Sequence, residues 1–113
     1  IVQASVKIVL RTKTKFLGIV IPPGIVVNDY EWGVGRELHF FDRNQTHSDN
    51  ALVEVVEAIQ DAGGAAIYLK PPLAEFSQPS KRMFFPYDGH LTAYGHQIVA
   101  KSLEGVIVDK LRK

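Results

Sequence analysis

The sequence predicts an α/β fold: a partial doubly wound parallel sheet made of a βαβ unit and a C-terminal helix. Two apolar runs of strand length, residues 16–21 and 65–69, each end at or near a proline pair. Between them lies a stretch with helical apolar spacing that stops at Gly63-Gly64. The chain has 113 residues and no shift in composition, so we expect one domain or domain fragment spanning 1–113.

Residues 1–14 fit two patterns, because their apolar residues recur at helical spacing and also alternate. We favour a helix, since the segment that follows is a much better strand. That strand, residues 16–21, is a continuous apolar run stopped by Pro22-Pro23, which is typical of a strand buried on both faces. Residues 22–48 show no sustained period and predict a long loop, either functional and lid-like or disordered.

The clearest helix covers residues 50–62, and Ser48 or Asp49 can cap its first amides. Gly63-Gly64 supplies a left-handed stop, and the second strand, residues 65–69, follows. Strand, crossover helix and strand together predict a parallel βαβ unit, about half of a doubly wound domain. The apolar stripe of this helix is Leu52, Val55, Val56 and Ile59.

After the second strand, residues 71–87 are predicted to be loop. Thr92 then caps a final helix that extends to about Leu111. The predicted core-facing stripe of that helix is Val99, Leu103, Val106 and Ile107.

Composition argues against several classes of partner. The formal net charge is +1, so we expect no nucleic-acid partner, which would need a basic face. No stretch reaches the roughly 18 apolar residues of a membrane span, so none is expected. The chain has no cysteine, which excludes disulfide and thiolate chemistry.

The most informative stretch is residues 84–96, Phe-Phe-Pro-Tyr-Asp-Gly-His-Leu-Thr-Ala-Tyr-Gly-His. Asp88 and His90 are two residues apart, so in an extended segment their side chains project to the same side. The carboxylate can then fix one imidazole nitrogen and leave the other free as a general base. Gly89 between them eases the turn. The alternative is that Asp88 only caps a turn and His90 is a surface histidine.

The block Tyr87-Asp88-Gly89-His90-Leu91-Thr92, followed by Gly95-His96 and Val99-Ala100, resembles the last conserved block of SGNH (GDSL-like) hydrolases. The Asp-Gly-His form is similar to a bacterial subgroup that includes relatives of polysaccharide O-acetyl-modifying enzymes. The resemblance covers about residues 16–112 and implies the C-terminal half of a flavodoxin-like SGNH fold.

The resemblance also implies a chemistry. His90 would be the general base of a serine esterase or acyl hydrolase, and Asp88 its orienting partner. The substrate would be an ester-bearing small molecule or an acetylated carbohydrate, with no cofactor and no metal. His96 is expected to pack or cap inside the last helix without a direct role.

The serine half of that active site is absent from these residues. None of the serines follows Gly-Asp or lies in a Gly-x-Ser-x-Gly elbow. Asn28-Asp29 faintly resembles the family's Gly-x-Asn-Asp block, but Val26 replaces the glycine, and we interpret it as a turn. We therefore expect a segment that lacks an N-terminal serine part and is inactive without it, which leaves its status as an enzyme open. The five serines are Ser5, Ser48, Ser77, Ser80 and Ser102.

Other interpretations stay open. The chain could be a non-catalytic α/β module that assembles through an exposed sheet edge, for example as a homo-oligomer. A metal site made of Asp88, His90 and His96, with or without His47, is a further alternative. Gly33-Val34-Gly35 begins like a dinucleotide fingerprint but follows no strand and opens no clear helix, so we set it aside. Four loop aromatics could line a pocket or, as we favour, cover the core: Tyr30, Trp32, Phe40 and Phe41.

Overall fold

The structure, a computed structural model, describes residues 1–40, 42 and 47–112, with the backbone alone for 111 and 112. The chain is mixed α/β, as predicted. The elements in chain order are α1 (Val2–Arg11), β1 (Leu17–Val20), α2 (Gly24–Val27), α3 (Gly33–Leu38), α4 (Asn50–Asp61), β2 (Ala65–Tyr68), α5 (Lys70–Phe76) and α6 (Ala93–Arg112).

The predicted βαβ unit is confirmed. β1 and β2 pair in parallel, from Leu17 opposite Ala65 to Val20 opposite Tyr68, and α4 connects them. The expectation that β1 is buried on both faces is wrong. Val20 is buried, but the side chain of Ile19 is 43% exposed, because α4 packs on the strands and leaves the other side of β1 open to solvent.

Helix α1 confirms the helical interpretation of the N-terminal segment. It packs against α4, and Val6 is fully buried there. Alternation in the sequence was therefore coincidental, because one helical face supplies the burial.

Helix α4 begins and ends close to the predicted positions. The Ser48 hydroxyl accepts a hydrogen bond from the Asn50 N–H at 3.2 Å, whereas Asp49 makes no capping bond. At the other end Gly63 has φ +91°, and its N–H donates to the Gln60 carbonyl at 2.9 Å. A left-handed glycine with this bond is the stop that Gly63-Gly64 predicts.

The Asp49 carboxylate does not cap α4 but binds two side chains at the end of β2 and the start of α5. It accepts hydrogen bonds from the Tyr68 hydroxyl and the Lys70 ammonium, each at 2.9 Å. The pKa of Asp49 is lowered, first by the bond from Lys70 and then by the bond from Tyr68. These contacts tie the start of α4 to the end of β2.

Both predicted loops contain helices, which corrects the sequence prediction. α2 and α3 lie within residues 22–48, and α5 occupies the first part of residues 71–87. Pro71 and Pro72 stand in the first turn of α5, where a residue without an N–H loses no helical hydrogen bond. The proline pairs therefore end strands and also start helices.

The main core lies between α2, α5, α6 and the segment before α6. Its buried members are Val27, Leu69, Leu73, Met83, Phe84 and Ile98. Thr92 caps α6 as predicted, since its hydroxyl oxygen accepts from the Gly95 N–H at 3.0 Å.

The predicted stripe of α6 is only partly correct. Ile98, which the stripe omits, is its buried member, and Ile107 is 40% exposed. Val99, Leu103 and Val106 are half-buried. Across the described part of the chain, none of the helices combines the length and apolar character that crossing a membrane would need.

Candidate functional site

Residues 83–92 form a hairpin that presents Asp88 and His90 at its turn. The Phe85 N–H donates to the His90 carbonyl and the Thr92 N–H donates to the Met83 carbonyl, each at 2.8 Å. Gly89 has φ +73°, a conformation that a residue with a Cβ rarely adopts. The expectation of an extended segment is therefore wrong, and a turn brings the two side chains together.

The Asp88 carboxylate contacts both the backbone and the ring of His90. Its Oδ1 accepts from the His90 N–H at 2.9 Å and lies 3.3 Å from Nδ1 of the imidazole. The pKa of Asp88 is lowered, chiefly by the bond from the His90 N–H, with the charge of the imidazole adding to it. The carboxylate thus caps the turn, as the alternative interpretation expects, and also lies beside the ring, so the dyad role stays a prediction.

Both side chains are exposed to solvent. The His90 side chain is 83% exposed and that of Asp88 is 59% exposed. In water, an exposed pair of this kind contributes little to stability and holds the ring loosely. The 3.3 Å separation of Oδ1 and Nδ1 is longer than a usual N–H···O hydrogen bond, and the pair lacks the burial that catalytic dyads use.

His90 lines a groove of about 420 Å³ at the carboxyl end of β1. This is the edge of the sheet at which open α/β folds bind ligands. Apolar side chains form most of its surface, and the two imidazoles are its polar side chains. The lining residues are Ile21, Pro22, Pro23, Phe84, Gly89, His90, Leu91 and His96.

His96 corrects a sequence prediction. It was expected to pack or cap inside α6, but its side chain is exposed and lines the groove. The capping is done by Thr92 instead. Within the described residues, no group of three or more His, Asp or Glu side chains is arranged to hold a metal ion.

The serines do not supply a nucleophile for His90, because none of them lines the groove. Ser77 is buried and donates to the Glu31 carboxylate. Ser102 donates to the Ile98 carbonyl at 2.8 Å, and Ser5 to the Ile1 carbonyl at 3.1 Å. Ser80 lies in the exposed turn before the hairpin.

Glu31 binds the backbone at the start of the hairpin, a role that the sequence did not predict. Its side chain is fully buried, and its carboxylate accepts from the Met83 N–H at 2.8 Å and the Phe84 N–H at 3.1 Å. Ser77 donates a third bond. A glutamate in a segment without periodicity gives no signal of burial, so only the structure reveals it.

The residues around Glu31 hold it in place. Asn28 Oδ1 accepts from the Tyr30 N–H at 3.3 Å and the Glu31 N–H at 3.0 Å, which confirms a turn at Asn28-Asp29. Arg36 is buried and donates to the carbonyls of Glu31, Ile25 and Asn28. Burial lowers the pKa of Arg36, and the nearby charge of Asp29 opposes this shift.

Helix α3 contradicts the expectation that Gly33-Val34-Gly35 opens no helix. Gly35 N–H donates to the Pro86 carbonyl at 2.6 Å, so α3 contacts the hairpin directly. A Cβ at Gly35 would lie 2.0 Å from the indole nitrogen of Trp32, so this glycine permits a close approach. The segment has a packing role, and the element directly before it is the helix α2 rather than a strand.

Of the loop aromatics, the three that the structure describes do not line the groove. Tyr30 donates to the Ser77 carbonyl at 2.6 Å, and Trp32 stacks on His39 with ring centroids 5.4 Å apart. Phe40 is 96% exposed, and Phe41 lies outside the described residues. Tyr30 and Trp32 are half-buried, but neither is part of the main core, so the covering role stays a prediction for them, and the exposed Phe40 does not fill it.

No protein-family model matches this chain, and comparison with curated proteins and with solved structures gives no significant match. The features that bear on function are therefore the geometry of the groove and the sequence block around Asp88.

Proposed function

We propose that this chain supplies the acid–histidine half of a serine esterase or acyl hydrolase active site of the SGNH type. The observation that carries the proposal is the contact of Asp88 with Nδ1 of His90, on a groove at the carboxyl edge of a parallel sheet. In this proposal the two strands are the last two of a larger flavodoxin-like sheet.

The roles follow from the contact. In the assembled site Asp88 would accept a hydrogen bond from Nδ1–H of His90, which leaves Nε2 as the proton acceptor. Nε2 takes the proton of a serine hydroxyl as its oxygen bonds to the ester carbonyl carbon, and passes that proton to the departing alcohol. Water then enters by the same route and releases the acid from the acyl-serine. The substrate is an ester of a small molecule, with acetylated carbohydrate suggested by the sequence resemblance.

The serine comes from residues outside these 113, since none of the serines here lines the groove. Triad residues act as a unit, and a base without its nucleophile supplies little rate. The chain by itself should therefore show little or no esterase activity.

The test uses the full product of the source gene. We expect a Gly-Asp-Ser segment in it and hydrolysis of p-nitrophenyl acetate that falls by at least about 10³-fold in His90→Ala. Gln97→Ala, an exposed neighbour on α6 outside the groove, is the matched control and should keep full activity. Full activity in His90→Ala, or a gene product without a nucleophilic serine motif, would refute the proposal.

A second candidate is a non-catalytic module that assembles through its sheet. In the described residues β1 pairs only with β2, which leaves one edge of β1 unpaired, and Ile19 on the open face of the strand is 43% exposed. An unpaired apolar edge strand invites pairing with another chain. This candidate predicts a stable oligomer in sedimentation experiments that dissociates in Ile19→Lys, and a monomer at all concentrations would exclude it.

A further inference from the structure

The groove beside His90 has a second imidazole with no assigned task. His96 lies in the first turn of α6, and its side chain is exposed on the same groove. Its backbone N–H already donates to the Thr92 carbonyl at 2.9 Å. Within the described part of the chain no hydrogen bond or ion pair engages its ring, so both ring nitrogens are available to a ligand.

The position of His96 is fixed by the backbone around it. A Cβ at Gly95 would lie 2.2 Å from the Met83 carbonyl oxygen, so the first turn of α6 rests directly on the start of the hairpin. Thr92 joins the two. Its hydroxyl oxygen accepts a hydrogen bond from the Gly95 N–H, and the same hydroxyl donates a hydrogen bond to the Arg82 carbonyl at 2.9 Å. The two histidines therefore stand on one rigid frame.

The lining of the groove limits what it can bind. Apart from the imidazoles, its side chains are apolar, and no Asp, Glu, Lys or Arg lines it. A formally charged ligand would find no carboxylate, ammonium or guanidinium in this lining to pair with its charge. A volume of about 420 Å³ suits a small ligand or one end of a larger one.

From these observations we infer that His96 is a recognition residue of the groove, which takes a neutral ester whose oxygen accepts a hydrogen bond from this imidazole. The inference rests on the proposed function, because the ester class comes from the role of His90. His96 touches the bound ester, while His90 faces the bond that is broken.

The experiment uses the chain of 113 residues with ¹⁵N-labelled histidine. Methyl 6-O-acetyl-glucopyranoside is titrated while the imidazole resonances are followed by NMR. We expect both His90 and His96 signals to move. Removing one hydrogen bond should weaken binding about threefold to tenfold in His96→Phe, and His96→Asn, which keeps a donor, should lose less.

The controls separate the alternatives. Gln97→Ala should bind as the unaltered chain does, and methyl glucopyranoside without the acetyl group should bind more weakly. The inference is overturned if the ester does not bind, if His96→Phe binds it unchanged, or if acetate anion binds as well as the ester.

The same experiments separate this inference from the proposed function. If His96→Phe weakens ester binding but the full gene product keeps its esterase activity in His90→Ala, the binding site stands and the proposed catalytic role fails. If hydrolysis depends on His90 but His96→Phe binds the ester as tightly as the unaltered chain, the catalytic role stands and the inference on His96 fails.

Discussion

Replacing the buried Glu31 by alanine should destabilise the protein strongly. The substitution leaves the N–H groups of Met83 and Phe84 without an acceptor, in a site where the glutamate side chain is fully buried. Each buried donor left without a partner costs about 1–3 kcal/mol, and the lost volume adds to this. We expect the free energy of unfolding to fall by about 3–5 kcal/mol. Domains of this size have about 5–15 kcal/mol in total, so the loss is a large fraction of the stability and would leave a domain at the low end of this range close to unfolded.

Urea denaturation followed by circular dichroism measures the loss. Glu31→Gln keeps one carbonyl oxygen and puts an amide donor in place of the other acceptor, so it should lose about 1–3 kcal/mol and remain folded. The matched control is Glu57→Gln on the exposed surface of α4, expected within about 0.5 kcal/mol of the unaltered chain. Hydrogen exchange at the Phe85 N–H, which bonds to the His90 carbonyl, should accelerate in Glu31→Gln. A loss below about 1 kcal/mol in Glu31→Ala would refute the reasoning.

Three further predictions follow from local geometry. Gly95→Ala should destabilise by about 1–3 kcal/mol in urea denaturation, because its Cβ would lie 2.2 Å from a backbone oxygen. Gly105→Ala on the same helix meets nothing within 4 Å and should stabilise by about 0.4–1 kcal/mol; equal effects would contradict the packing argument. The hydrogen bond from Lys70 lowers the pKa of Asp49 in the folded state below its ordinary value of 3.8. The contact therefore stabilises the fold fully above pH 3.8, and this stabilisation is lost as the pH falls through the folded-state pKa. Asp49→Asn should flatten stability against pH in this acid range, and an unchanged acid transition would exclude the contact as its cause. Asp88→Asn in the full gene product should lower kcat by about 10³–10⁴-fold with KM little changed, and a change confined to KM would exclude an orienting role.

The regular elements could be predicted because their signals are local. The spacing of apolar residues and the Gly63-Gly64 stop locate α4, and Thr92 marks the start of α6. The short helices were missed because prolines and glycines were interpreted as loop signals. Pro71 and Pro72 are compatible with the first turn of a helix, and α5 is too short to show a period of its own.

The proximity of Asp88 and His90 could be predicted, since they are two residues apart in one block, whereas their catalytic role stays a prediction. The role of Glu31 could not be predicted, because its partners, Met83 and Phe84, are more than 50 residues away in sequence. Burial of a charged side chain is decided by such distant donors, and the local sequence contains no record of them. The exposure of His96 was missed because the local sequence does not show which side of the first turn of α6 faces the groove.

In the proposed enzyme, the exposure of Asp88 and His90 determines what the serine-bearing segment has to supply. The backbone of the hairpin is already held by the Glu31 carboxylate and by Thr92. The imidazole is not, since its side chain is 83% exposed and its 3.3 Å contact is weakened by water. A segment that lies over the groove would exclude water, strengthen that contact and bring the hydroxyl within reach of Nε2. The hairpin backbone would therefore be in position before the serine-bearing segment binds, and the His90 imidazole would be fixed only when that segment binds.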